Sequence, residues 1–166
     1  FISQGIYSGT IINVAHELGH RKSKIAEWHS KIALISVFYY HFYVEHNRGH
    51  HVHVATPNDP ATAHKNQTIY AFWFQSVIGS FKSAWKIGKT QNERIGVSLF
   101  LRNQVLWGFM ASIILFVFIL FVFSQYFGSD VLLLTKFLFV QSIMAFLLLE
   151  TVNYVEHYGI QRREIA

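Results

Sequence analysis

The chain has 166 residues, of which 52% are hydrophobic and only 14% are charged, and its formal net charge is +5. This length suits one domain, and so high an apolar share with so few charges favours a membrane-embedded protein. The chain has no cysteine, which excludes a disulfide framework, thiolate-bound zinc, cysteine-ligated iron–sulfur clusters and a cysteine nucleophile. The positive charge does not require nucleic acid, and we predict no nucleic-acid partner.

The first half of the chain carries three apolar segments. Residues 1–14 are already apolar, and they predict the end of a membrane-spanning helix in an internal fragment of a longer protein. Residues 32–44 are apolar but short, which predicts half of a broken span or a short helix packed at membrane depth. Residues 70–89 mix aromatic side chains with lysines, which favours an interfacial helix among lipid headgroups over a docking surface for a partner or nucleic acid.

The second half of the chain predicts a transmembrane hairpin. Residues 105–127 carry no charge and are apolar on every face of a helix. A helix of that length spans roughly 35 Å, which is enough to cross a hydrocarbon core of about 30 Å. Residues 128–130 predict a turn, and residues 131–149 predict the returning helix, with Lys136 as its one charge.

The positive charges predict the orientation of this bundle. Eleven of the fourteen lysines and arginines lie within residues 21–102, and two more are Arg162 and Arg163. Cytoplasmic segments of membrane proteins carry this excess of basic residues. We therefore predict an all-α, integral-membrane bundle that turns its histidine-rich side to the cytoplasm.

Histidines are concentrated where three predicted helices end on that side. His16 and His20 are four residues apart, and so are His46 and His50, so each pair shares one helix face. His51 points about 100° away from His50 and is placed to reach a second metal. Imidazoles near hydrocarbon are costly unless they bind or pair with something, which predicts metal ligation. Six residues are the candidate ligands: His16, His20, His46, His50, His51 and His157.

The number of candidate ligands predicts two metal ions, because one zinc site uses three or four. Ligating histidines usually donate their second N–H to a carboxylate or carbonyl oxygen. The residues beside the clusters that are suited to that role are Glu17, Glu45, Glu156, Asn13 and Asn153. Of the other histidines, we expect His29 and His64 to face solvent, His41 to be a hydrogen-bonded core residue, and His53 to be a less favoured ligand.

Two other classes of function remain open on these residues. His16, Glu17 and His20 match the H-E-x-x-H pattern of zinc proteases, in which the glutamate activates water. That interpretation leaves the second and third clusters unexplained. A non-catalytic metal carrier would need histidines along the hairpin, and residues 105–149 contain none.

The two histidine clusters of the first half, residues 54–61, and residues 153–159 together resemble the membrane-bound alkane 1-monooxygenases. The first two clusters alone also resemble membrane desaturases and xylene-type monooxygenases, and the His-Tyr-Gly of the third is more specific. The resemblance covers essentially the whole chain. It implies a single membrane-embedded catalytic domain over residues 1–166, with further helices before it and a box of three more ligand histidines after it.

The resemblance also implies a cofactor and partners. The six candidate histidines would ligate two non-haem irons, with no haem and no flavin in this chain. The implied reaction hydroxylates the terminal methyl group of an n-alkane with O2, and electrons come from rubredoxin, which an NAD(P)H-dependent rubredoxin reductase reduces. A basic face with Arg48, Lys82, Lys86 and Lys89 could attract an acidic carrier, but the excess of basic residues on the cytoplasmic side is the favoured explanation for most of these lysines. The implied location is the bacterial inner membrane, with the active site toward the cytoplasm.

Overall fold

The structure is a computed structural model that describes residues 2–94 and 102–162, and every regular element in these two ranges is helical. The first helices are α1 (Ile2–Gly19), α2 (Lys24–Ile35) and α3 (His41–Glu45). A π-helical turn (His46–His50) continues α3 and leads into the short α4 (His51–His53). Three long helices follow: α5 (Ile69–Arg94), α6 (Gln104–Phe127) and α7 (Val131–His157).

Helices α6 and α7 confirm the predicted hairpin. Both are long and apolar enough to cross a membrane, and only 17% and 22% of their most apolar windows are buried, so neither is the core helix of a soluble fold. Gly128 ends α6 with a φ of 60°, in the left-handed region that glycine adopts without strain. Asp130 then caps α7 by accepting a hydrogen bond from the Leu133 N–H at 2.8 Å.

Helix α7 extends two turns beyond the predicted end at residue 149. The added turns carry Asn153 and His157, so the third histidine cluster lies on the same rigid helix as the membrane span. Polar side chains therefore continue along a helix whose first part is apolar.

Helix α1 packs along α7 at close range. A Cβ added to Gly9 would lie 2.6 Å from the Leu148 side chain, so the absence of a side chain at Gly9 permits the approach. Ser8 Oγ donates a hydrogen bond to Gln141 Oε1 at 2.7 Å across the same contact. This packing brings the last turn of α1 beside the last turns of α7. Only α6 and α7 of the described helices pass the length and hydropathy criteria for a span, so a spanning role for residues 1–14 stays a prediction.

The prediction of a single short helix over residues 32–44 is wrong. Helix α2 ends at Ile35, and Phe38 adopts a φ of 57° before α3 begins at His41. The Phe38 ring packs 4.3 Å from the Phe116 ring of α6, whereas Tyr39 is buried and hydrogen-bonds to α7. Because these neighbouring side chains are drawn toward different helices, tertiary packing overrides the local helix preference.

Helix α5 covers the predicted helix at residues 70–89 and extends beyond both of its ends. One of its faces, which includes Phe72, Ser76 and Ala84, is fully buried. The exposed side carries aromatic side chains first and lysines afterwards. The helix is confirmed, and its placement among lipid headgroups stays a prediction.

The largest buried apolar cluster lies between α1, α2, α3 and α7, next to the histidines. It positions the helix ends that carry them. Its members are Ile12, Ala15, Leu34, Val37, Tyr39, Phe42, Ala145 and Leu149.

Candidate metal centre

The six candidate histidines lie in one continuous group of side chains. His16 lies in the last turn of α1, His20 directly follows that helix, and His157 is the last residue of α7. The other three come from the π-helical turn and the first residue of α4. Ring centroids are 4.3 Å apart for His16 and His46, 4.8 Å for His20 and His51, and 4.6 Å for His50 and His157.

His16, His20 and His46 form the tightest part of this group. His46 Nε2 lies 2.8 Å from His16 Nε2 and 3.2 Å from His20 Nε2. A neutral imidazole offers only one donor and one acceptor nitrogen, so one His46 nitrogen is poorly suited to two imidazole partners at once. One cation between the three rings satisfies all three nitrogens, so this donor set fits a metal ion.

Two histidines of this triad, His16 and His46, have lowered pKa values that favour the form that binds metals. Burial, followed by the neighbouring His20, lowers the pKa of His16 to about 4. Burial and four surrounding imidazoles hold the pKa of His46 well below its usual range. Both rings are therefore neutral near pH 7, and neutral imidazole is the ligating form.

His50 and His157 form a second group with an acidic partner. His50 Nδ1 lies 2.9 Å from Asp59 Oδ2, and the Asp59 side chain is fully buried. Burial alone would raise the pKa of Asp59, but hydrogen bonds from His50, Thr62 and the Ala61 N–H bring it below its usual value. The ionised Asp59 accepts a hydrogen bond from His50 Nδ1–H, which leaves His50 Nε2 available to a metal.

The π-helical turn decides which histidines meet. In such a turn the backbone hydrogen bonds run from residue i to residue i+5, and His51 lies with its ring 4.5 Å from that of His46. His51 therefore joins His46 and His20, while His50 turns toward His157. Regular α-helical spacing predicts that His46 and His50 share a face, and their rings do stack 5.0 Å apart. The same spacing directed His51 toward a second metal, whereas its ring lies closest to those of His46 and His20.

Four of the five polar residues expected to support the ligands are exposed or hydrogen-bonded elsewhere within the described residues. Glu17 is 76% exposed, and its Oε1 lies 3.9 Å from His16 Nδ1, too far for a hydrogen bond. Glu156 is exposed. Asn13 donates to the Gly9 carbonyl, and Asn153 donates to Glu150 Oε2.

Glu45 is the exception, because it is buried beside the histidines. Its Oε1 accepts a hydrogen bond from Ser83 Oγ at 3.3 Å. Burial, together with the nearby Asp59, raises its pKa to about 7. A side chain on Gly49 would collide with this carboxylate, so the glycine of the π-helical turn makes room for Glu45.

The remaining histidines lie apart from the six. His29 and His64 are exposed, as expected, and His53 is exposed as well. His41 is a core residue between the Tyr39 and Phe81 rings, but its Nε2 has no hydrogen-bond partner among the described residues. Burial lowers the pKa of His41 to about 4, so this ring is neutral.

Sequence reasoning missed two buried acidic residues: Asp59, which contacts His50, and Glu150, which lies two turns before His157 on α7. Asp59 lies within residues 54–61, which carry part of the family resemblance, and Glu150 directly follows the apolar residues 131–149. The Asp-Pro pair in a polar loop just after the second cluster was the one signal for Asp59. No local pattern marks Glu150.

A basic groove lies on the outer side of the π-helical turn, between that turn and α5. Its volume is about 800 Å³, and it reaches Gly49, which is adjacent to His50. Arg48 Nη1 donates to Gln91 Oε1 at 2.7 Å, which holds the guanidinium at the groove. Among the described residues that line it, the charged ones are Arg48, Lys82 and Lys86, and none carries a carboxylate.

Comparison with known proteins places this chain in a family. It matches the fatty acid desaturase family over residues 1–165, and it belongs to that family. With the two apolar helices, this makes it a membrane protein.

Individual named proteins give a more specific similarity than the family does. The chain is 38% identical over 165 residues to an alkane 1-monooxygenase 1 of Alcanivorax borkumensis. The aligned residues make up 99% of the chain and 39% of that relative. It is 37% identical over 166 residues to an alkane 1-monooxygenase of Pseudomonas putida. Here the aligned residues make up 99% of the chain and 40% of the relative. The xylene/toluene monooxygenase hydroxylase component XylM of Pseudomonas putida is 29% identical over 152 residues, with 90% of the chain and 39% of that relative covered. The chain thus spans about two fifths of the length of these curated relatives.

Proposed function

We propose that the full-length protein is an alkane 1-monooxygenase that hydroxylates the terminal methyl group of medium- or long-chain n-alkanes. One alkane, one O2, two electrons and two protons give one primary alcohol and one water. The observation that carries this proposal is the meeting of six histidines in two adjoining groups, in a chain with relatives of that name. A xylene-type monooxygenase is the second candidate, and its weaker support is the 29% identity to XylM.

We propose two non-haem irons, with neither haem nor flavin in this chain. Imidazole nitrogen suits iron, and six histidines exceed the needs of one ion. When bound, the irons supply the redox chemistry that an unpolarised C–H bond requires. His16, His20, His46 and His51 would hold one ion, and His50 and His157 would begin the second site. The downstream histidine box implied by the family resemblance would complete that second site.

We propose that the substrate reaches this site from the bilayer. An n-alkane dissolves in lipid, so entry beside α6 and α7 spares it a passage through water. The concentration of basic residues within 21–102 supports a cytoplasmic active site on the bacterial inner membrane. Soluble electron carriers have access to that side.

Rubredoxin, reduced by its NAD(P)H-dependent reductase, is the proposed electron donor, and the basic groove is its proposed docking surface. Arg48, Lys82 and Lys86 line the groove, and Lys89 lies about one turn after Lys86 on α5. It also reaches the backbone next to His50, which places a docked carrier close to the histidines. An acidic carrier would be attracted to this surface over a distance set by ionic strength.

Charge reversal in this groove tests the docking surface. Lys82→Glu combined with Lys86→Glu should slow rubredoxin-coupled turnover by about tenfold or more at low ionic strength, because electrostatic steering accelerates association by that order. The rate should also lose most of its dependence on salt. The measurement is the turnover rate against rubredoxin concentration at several salt concentrations.

Lys24→Glu is the matched control, because Lys24 is exposed at the start of α2 and lies outside the groove. It should leave the rubredoxin dependence close to that of the wild type. Equal rates and equal salt dependence for the groove variant and the wild type would exclude this docking surface.

The reaction itself is tested with the full-length protein in membranes. Octane, O2, NADH, rubredoxin and its reductase should yield 1-octanol, which gas chromatography detects. Product should require both O2 and rubredoxin. Conversion of xylene but not octane would instead favour the xylene-type activity.

A further inference from the structure

Glu150 is a buried carboxylate to which the proposed reaction assigns no part. Its side chain is completely inaccessible to solvent. It lies three residues before Asn153 and seven before His157, so all three share one face of α7. None of the ion pairs formed within residues 2–94 and 102–162 includes Glu150. A carboxylate is costly to bury without a cation, so helix packing alone does not explain a glutamate at this position.

Hydrogen-bond donors from three parts of the fold converge on this carboxylate. Tyr39 Oη donates to Oε1 at 2.7 Å, and Ser76 Oγ of α5 donates to Oε2 at 2.5 Å. Asn153 Nδ2 also donates to Oε2, at 3.3 Å. Glu150 thereby joins α7 to α5 and to the segment between α2 and α3.

The Tyr39 bond connects Glu150 to the histidine-bearing segment. The Tyr39 ring stacks on Phe146 of α7 at 4.9 Å and on Phe42 at 6.0 Å. Phe42 in turn stacks on His46 with centroids 4.8 Å apart. The axial position of α7 relative to α3 is therefore fixed a few residues from the point where His157 meets His50.

The Asn153 bond also fixes the orientation of an amide. A carboxylate only accepts hydrogen bonds, so the Asn153 NH2 group must face Glu150. This leaves Asn153 Oδ1 buried and without a hydrogen-bond partner among the described residues, one turn before His157. Buried oxygen atoms without partners are rare and need an explanation, and a donor held at the metal centre would supply one.

We propose that Glu150 is a positioning residue that fixes His157 and the Asn153 oxygen of α7 relative to the histidines carried by residues 46–51. This inference rests on the proposed metal centre. Glu150 contacts neither metal nor substrate in this role. It acts through His157, so its removal should weaken the second metal site more than the triad of His16, His20 and His46.

Glu150→Gln tests this role with little change in size. The new amide NH2 must face one of the three donors, which then has to accept instead. The Tyr39 and Ser76 hydroxyls can do so by rotating, whereas Asn153 can do so only by turning its amide, which takes its Oδ1 away from its present position. The full-length protein should then lose part of its iron to a chelator about tenfold faster than the wild type, as typical of a lost supporting hydrogen bond. Iron per chain and the rate of its loss are the readouts, independent of hydroxylation.

A double variant separates positioning from general destabilisation. If Glu150 acts through His157, Glu150→Gln with His157→Ala should lose iron no faster than His157→Ala alone. Tyr39→Phe keeps the carboxylate but removes one of its donors, so it should accelerate iron loss by a smaller factor. This variant replaces Glu150→Gln in the test if Glu150→Gln fails to fold. Glu27→Gln on α2 is the matched control, because Glu27 pairs with Lys31 of its own helix and lies outside the group of six histidines.

The outcomes distinguish this inference from the proposed function. A wild-type protein without iron would overturn the metal centre and Glu150's role together. A wild-type protein with two irons and a Glu150→Gln variant that keeps both equally well would overturn only the role of Glu150. Additive iron loss in the double variant would overturn it too, since Glu150 would then act independently of His157.

Discussion

Replacing His46 with alanine is expected to abolish both iron binding at the triad and alkane hydroxylation. His46 is the centre of the cluster, since its Nε2 lies within 3.2 Å of both His16 and His20 nitrogens. Its ring also lies 4.5 Å from that of His51 and 5.0 Å from that of His50. The measurement is iron per chain by elemental analysis together with 1-octanol formation.

His29→Ala provides the control for this loss. His29 is exposed on α2, and its Nδ1 bonds to the Ile25 carbonyl of its own helix, so its replacement should preserve iron and turnover. Retention of full iron content and activity by His46→Ala would contradict the proposed ligand set. A loss seen equally in both variants would point to a change of fold rather than of a ligand.

Asp59→Asn should weaken metal retention or turnover by about 10- to 100-fold, the usual cost of losing a partner that orients a ligating histidine. The ionised Asp59 accepts from His50 Nδ1, Thr62 Oγ1 and the Ala61 N–H. Asparagine keeps the size but loses the negative charge, and it offers an NH2 where an acceptor is needed. Chelator-driven iron loss and kcat are the quantities to measure.

Asp130→Asn makes the same chemical change at the far end of α7. Asp130 caps that helix through Leu133 N, and asparagine caps helices about as well as aspartate. This control should therefore match the wild type. If Asp59→Asn also matched the wild type, the carboxylate would not be the group that orients His50.

The membrane hairpin could be predicted because its signal is local. Residues 105–127 are apolar on every face, and a glycine and a capping aspartate follow directly. The break near Phe38 could not be predicted, because it depends on where α6 and α7 lie. The rings of Phe38 and Tyr39 are drawn to those two helices from adjacent positions, and no periodicity within residues 32–44 records this.

The candidate site likewise has features that the sequence predicted and features that it did not. The spacing of the histidines and their location at helix ends predicted that they would meet, and the structure brings all six together. Which histidines face each other depended on a π-helical turn that an α-helical spacing rule cannot foresee. Asp59 and Glu150 take part through contacts with residues that are 9 and 111 positions away along the chain, and such pairings appear only once the fold is known.

The stoichiometry and identity of the bound metal test the central claim most directly. Elemental analysis of the full-length protein purified from membranes should find about two irons per chain in preparations that convert octane to 1-octanol. One zinc per chain without an oxygen-dependent product would contradict the proposed hydroxylase. That result would favour a protease of the H-E-x-x-H type, with the exposed Glu17 as the group that activates water.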